Sequence, residues 1–169
     1  MKIRSALSLV IAASAIAIPL ACSDGGDTVP ADPTILLDRE DVEIAAYVKT
    51  KQNVSLQILN KGRGALTVSD VHLELPDGGA LPGNSVFSQP IVAVDAGSLS
   101  DPLPIVIGGL GTGFVQFSYS PQTPGKSSAR MVVKSNAPAR AEIDVPVNGC
   151  ATNTDGGGAT CACAADAGC

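Results

Sequence analysis

Tryptophan is missing from this 169-residue chain, histidine occurs once, and aromatic residues make up only 3% of it. Charged residues reach just 16%, and no stretch concentrates Lys and Arg. Nucleic-acid binders gather basic side chains against phosphates, so that class is excluded, and a formal net charge of −5 points the same way. Sustained charge-flanked Leu heptads are lacking too, which excludes a coiled coil. What the chain has is 45% hydrophobic residues, cut into short runs by 18 Gly and 12 Pro. That is too apolar for a disordered chain, and it is the pattern of one all-β domain with tails.

The amino terminus reads as an address. Met1-Lys2-Ile3-Arg4 is basic, Ala6 to Ile18 is apolar apart from Ser8 and Ser14, and polarity returns at Ser23-Asp24-Gly25. A basic start, a short apolar core and a small residue before a polar stretch describe a secretory signal peptide over residues 1–21. The apolar part falls short of the ~20 residues that span a bilayer. Ala21-Cys22 resembles the lipobox of bacterial lipoproteins, in which the Cys is lipidated and becomes the new amino terminus. Pro19 stands where that family favours Leu, and Leu20 follows one place later. The alternative is ordinary cleavage after Ala17 or Ala21, with Cys22 left as a spare thiol. The cysteine count favours lipidation, because five Cys in an exported chain leave one unpaired. The resemblance implies a membrane partner through the lipid. Ser23, rather than Asp, after the Cys implies the outer membrane. Removing residues 1–21 takes away Lys2 and Arg4 and no acid, leaving 9 basic against 16 acidic residues, a charge of −7.

Residues 23–33 are mostly Gly, Pro, Asp and Thr with little to bury, so 22–33 is expected to be the lipidated Cys22 followed by a flexible linker. From 34 to 149 the pattern becomes period-two. Val54-Leu56-Ile58, Val71-Leu73-Leu75, Val115-Phe117-Tyr119, Ala129-Met131-Val133 and Ile143-Val145-Val147 each give one apolar face. Weaker strand candidates are 34–38, 42–48, 86–94 and 103–107. Leu66 and Val68 are even-numbered whereas Val71 and Leu73 are odd, which requires a bulge near Ser69-Asp70. Pro146 marks an edge position, because it cannot donate to a ladder. About seven short antiparallel strands predict an immunoglobulin-like β-sandwich, with Leu56, Val68, Leu73, Phe117, Met131 and Val145 inside. A Gly/Ala/Cys-rich tail, 150–169, follows.

The run Val54 to Val68, with its Asn60-Lys61-Gly62 turn and Leu66-Thr67-Val68 strand, resembles the signature of Hydin-type, or choice-of-anchor D, immunoglobulin-like domains. Gly113 to Pro121, Ala129 to Asn136 and Val147-Asn148-Gly149 come in the order of that family. The resemblance covers 34–149. It implies a seven-stranded sandwich used for interaction or spacing, with no catalytic residue to carry over.

The remaining motifs weigh toward structure. Gly109 to Gly113 looks like a phosphate loop, but a strand follows it where such a loop needs a helix, so a flexible inter-strand loop is expected. His72 alternates with Val71 and Leu73 and is expected on the solvent face, with no nucleophile-elbow sequence to accompany it. No Asp spacing fits a calcium loop. No cofactor and no metal are therefore expected. Cys150, Cys161, Cys163 and Cys169 are expected to form two disulfides, because an exported Cys-rich tail is more often cross-linked than zinc-bound. Function reads as a non-catalytic, lipid-anchored interaction, adhesion or scaffold protein of the cell envelope, binding an unidentified surface protein through loops 76–86 and 95–113. The alternative is a carbohydrate-binding module, whose aromatic platform would have to come from Tyr47, Phe87, Phe114, Phe117 and Tyr119.

Overall fold

The computed structural model describes residues 29–94 and 102–153. Cys22, Cys161, Cys163 and Cys169 lie outside them, as do the signal peptide and most of the tail. The described chain is all strand and turn: β1 (Ile35–Leu37), β2 (Val42–Tyr47), β3 (Gln52–Asn60), β4 (Leu66–Glu74), β5 (Ile91–Ala93), β6 (Ile105–Ile107), β7 (Thr112–Tyr119), β8 (Gly125–Ser135) and β9 (Glu142–Thr152). One sheet has the order β1-β3-β7-β5 and the other β2-β9-β8-β4-β6. The two pack face to face, and alternate residues of each point into a shared core.

The expected inner residues are all buried: Leu56, Val68, Leu73, Phe117, Met131 and Val145 are no more than 4% exposed. Burying each such side chain contributes ~1.5–3 kcal/mol. The parity change in β4 is a register shift between Val68 and Asp70, opposite Ser135 and Lys134. It keeps Leu66 and Val68, then Val71 and Leu73, on the same inner face.

The strand count is higher than expected, nine in place of about seven, because the edge strands are divided between the two sheets. β1 pairs β3 and β2 pairs β9, with the exposed, fully charged Asp38-Arg39-Glu40-Asp41 between them. β5 pairs β7 and β6 pairs β4 in the same manner on another side. The sheets are not wholly antiparallel either, since β2 runs parallel to β9. β9 happens to run the same way as β2, whereas β6, after the equivalent crossing, meets β4 antiparallel.

The domain also extends past 149. β9 continues to Thr152, so Cys150 is a strand residue opposite Lys126 and Ala45 instead of the first residue of a tail. Pro146 lies in this interior strand, but the ladder with β2 starts only at Val147. Its edge character is therefore local. Residues 30–33, expected to end the linker, are held to the β3–β4 turn: the Arg63 N–H donates to the Pro30 carbonyl at 2.9 Å.

Candidate functional site

One end of the sandwich is organised by Asn60. Its side chain is buried at the close of β3, with Oδ1 accepting from the N–H groups of Thr34 (3.2 Å) and Gly62 (3.0 Å). Nδ2 donates to the carbonyls of Gly64 (2.7 Å), Gly108 (3.0 Å) and Ile107 (3.2 Å). The incoming chain, the β3–β4 turn and the β6–β7 turn are thereby tied to one amide. Gly62 fits because a Cβ there would fall 1.9 Å from the Asp32 carbonyl oxygen. Gly109 fits for the same reason against Arg63. The segment expected as a flexible loop, Gly109 to Gly113, is thus a packed turn: the Leu110 N–H reaches the Gly62 carbonyl and the Asn60 N–H reaches that of Gly111, both at 2.9 Å.

The outer face of the second sheet carries a ladder of charge. Arg130 Nε donates to Glu74 Oε1 at 2.8 Å, Arg130 Nη2 meets the same oxygen, and Nη1 reaches Asp144 at 3.3 Å. His72 is half-exposed, as expected, between Asp70 (3.0 Å) and Glu74 (3.6 Å). The Arg130 hydrogen bonds hold the Glu74 carboxyl below its ordinary value, against the opposing effect of burial, with His72 adding to the lowering. Arg130 is raised in return, chiefly by Glu74. Register sets these residues in cross-strand rows, His72–Val132–Asp144 beside Glu74–Arg130–Pro146, and Val132 is buried among them. The chemistry is that of a solvated ion-pair lattice. Among the described residues no group of three His, Cys, Asp or Glu is placed to hold a metal ion.

The opposite end gathers the β2–β3, β4–β5 and β7–β8 connections beside the end of β9. The Val48 N–H donates to Thr152, Lys49 to Pro121, and Ser120 to Val86. Here the 81–89 segment curves over the end of β7 and leaves a trough of ≈ 490 Å³, lined by Leu81, Pro82, Val86, Ser85, Ser88 and Ser120 among others. Gln89 anchors its margin: Oε1 accepts from the Leu73 N–H at 3.4 Å, and Nε2 donates to the Leu73 carbonyl at 3.5 Å. Of the loops expected to bind, 76–86 forms part of this trough, residues 95–101 lie outside the described set, and 108–111 belongs to the Asn60 end. Cys150 stands near this far end of β9.

The aromatic residues form no platform. Phe87, Phe117 and Tyr119 are buried, Phe114 is half-buried on the outer face of the first sheet, and only Tyr47, on the second sheet, is widely exposed. Phe87 and Tyr119 pack together, ring centroids 5.1 Å apart. Burial pushes the Tyr119 phenol up, with the Ser127 hydroxyl pulling the other way. Sequence reasoning missed the Asn60 hub, the Glu74–Arg130 pair and the serine-lined trough. Only the first left a trace, an Asn two residues before a turn glycine.

No family model and no curated protein matches the sequence. Solved structures do match. A protein of unknown function from Porphyromonas gingivalis has a TM-score of 0.52 and 13% identity over 76% of this chain, which spans about half (51%) of that protein. The ASH/PapD-like domain 7 of human CEP192 gives a TM-score of 0.48 and 13% identity, covering 86% of this chain and 99% of the domain. The periplasmic chaperone SfaE gives 0.45 and 15%, over 68% of this chain and 57% of the chaperone. The fold is an immunoglobulin-like, all-β sandwich.

Proposed function

We propose that this chain is a non-catalytic interaction or scaffold module of a bacterial cell envelope, tethered by a lipid on Cys22 and displayed from the outer membrane. The observation that supports it best is the position of the two ends of the described chain. Pro30 to Thr34 is fastened at the Asn60 end, and β9 delivers Thr152 to the opposite end, beside Tyr47. About eight residues separate Cys22 from Pro30, a reach of at most roughly 28 Å. The nine residues of β3 add about 30 Å of sandwich. A tethered copy therefore carries its serine-lined trough and the end of β9 at the pole away from the membrane, where a partner meets them first. Cys150, Cys161, Cys163 and Cys169 form two disulfides that hold the tail to the end of β9. The Hydin-type, choice-of-anchor D resemblance fits this role, and its Asn-x-Gly turn falls on the Asn60 hub.

Partner capture from envelope extract tests the reading. A Cβ at Gly83 would meet nothing within 4 Å, so Gly83→Arg obstructs the trough without disturbing the core. Capture should be lost in this variant with the melting temperature unchanged. Undiminished capture, or turnover of a glycan, peptide or ester by the purified chain, would overturn the proposal.

A further inference from the structure

β9 is an inner strand with part of one side vacant. β8 pairs with it from Glu142 to Ala151, but β2 lies along its other side only from Val147 onward. The vacancy resolves to single backbone groups. The Ser135 N–H donates to the Ala141 carbonyl at 2.7 Å, in register with the β8–β9 ladder. Alternate residues of an antiparallel strand bond in opposite directions, so Ile143 and Val145 bond β8, whereas Glu142 and Asp144 turn their N–H and C=O groups to the vacant side. Their side chains are engaged across β8, Glu142 with Lys134 at 3.5 Å and Asp144 with Arg130 at 3.3 Å. Those charges therefore leave the backbone edge unguarded. A cavity of ≈ 240 Å³ opens at this place, lined by the buried Leu37, Ile143 and Val145 and the exposed Arg39, Glu40 and Arg140 among others.

We propose that this slot takes an extended peptide from a partner protein, which adds as a strand beside residues 142–146 of β9, in line with β2, and places an aliphatic side chain in the cavity. The backbone groups select that occupant. Donors and acceptors presented in ladder register are matched by another extended backbone, which supplies both kinds of group at the same spacing. The cavity selects the side chain, because Leu37, Ile143 and Val145 offer it only apolar contact. β2 closes the slot where Val42 meets Val147, which limits the added strand to about five residues, roughly 17 Å. So short a strand binds weakly and reversibly. The slot is separate from the serine-lined trough, and it does not depend on the lipid anchor.

Hydrogen exchange in the detergent-solubilised full chain tests the slot, with capped seven-residue peptides that alternate Val, Ile or Leu with Thr as probes. The Asp144 amide should exchange freely in the chain alone and slow severalfold with peptide. The Ile143 amide, bonded to β8, should be protected in both. Methylating every second peptide nitrogen should abolish binding in one phase of the alternation and spare it in the other, since only one edge of an added strand faces β9. Asp144→Pro removes the donor without touching the β8 ladder and should weaken binding about tenfold, whereas Asp144→Asn should bind as the parent does. Thermal melts confirm folding of both variants, and the methylated peptides test the slot in the unaltered chain. Failure of every peptide to protect the Asp144 amide at millimolar concentration would overturn the proposal. So would protection confined to the edges of β1, β5 or β6, or binding indifferent to the phase of methylation.

Discussion

The ring of Tyr119 lies against the backbone of Gly149, so close that a Cβ on residue 149 would fall 2.5 Å from Cε2 and 2.6 Å from Cζ. Tyr119 comes from the centre of the first sheet and Gly149 from β9 in the second, so this contact sets how closely the sheets approach near the Tyr47 end. Gly149→Ala should cost about 3 kcal/mol, the upper end of the usual overpacking range, since neither ring nor strand can retreat into a packed core. The buried Tyr119 hydroxyl finds no partner at hydrogen-bonding geometry among the described residues, the pull of the Ser127 hydroxyl being the lesser influence on it. Tyr119→Phe should accordingly lie within about 1 kcal/mol of the parent, or be more stable. Urea denaturation of both variants checks the pair.

Asn60 offers a second test. Asn60→Ala leaves the N–H groups of Thr34 and Gly62 and three carbonyls without their side-chain partner. Each buried group so orphaned costs ~1–3 kcal/mol, and water entering the vacated space offsets part of that, so a total loss of about 3–5 kcal/mol is expected. Hydrogen exchange should quicken first at residues 61–64 and 108–111, before the central strands respond.

Acid should weaken the charge ladder in a defined sense. Glu74 is held below its ordinary value by Arg130, so its contribution is fully present above the unfolded-state value and is lost as pH falls through the lower folded-state value. Melting temperature should therefore drop on going below about pH 4. Glu74→Gln should melt lower than the parent at neutral pH and show a shallower decline in acid. A parallel decline in both proteins would count against the assignment.

The alternation of apolar residues made the long strands legible, because a half-buried strand must place every second residue inside. The bulge at Ser69-Asp70 was legible for the same reason: a change of parity has no other remedy if Val68 and Leu73 are both to be buried. The parallel pairing of β2 with β9 was not, since alternation reports which residues face inward and is silent about which strand lies alongside. Gly109 to Gly113 misled through composition. Glycine there permits the close approach to Arg63 and the packing beneath Ile107, where mobility had been expected. The trough left no local signature at all, because Ser85, Ser88 and Ser120 meet only through the pairing of Phe87 with Tyr119.

Display from a membrane is the claim on which the orientation of the molecule rests, and the mass of the amino-terminal peptide from envelope-extracted protein tests it most directly. The expected peptide begins at Cys22 and carries the mass of a diacylglyceryl group and an amide-linked acyl chain, with Ser23 next. A mature chain beginning elsewhere, or a peptide bearing Cys22 as an unmodified thiol, would contradict the account.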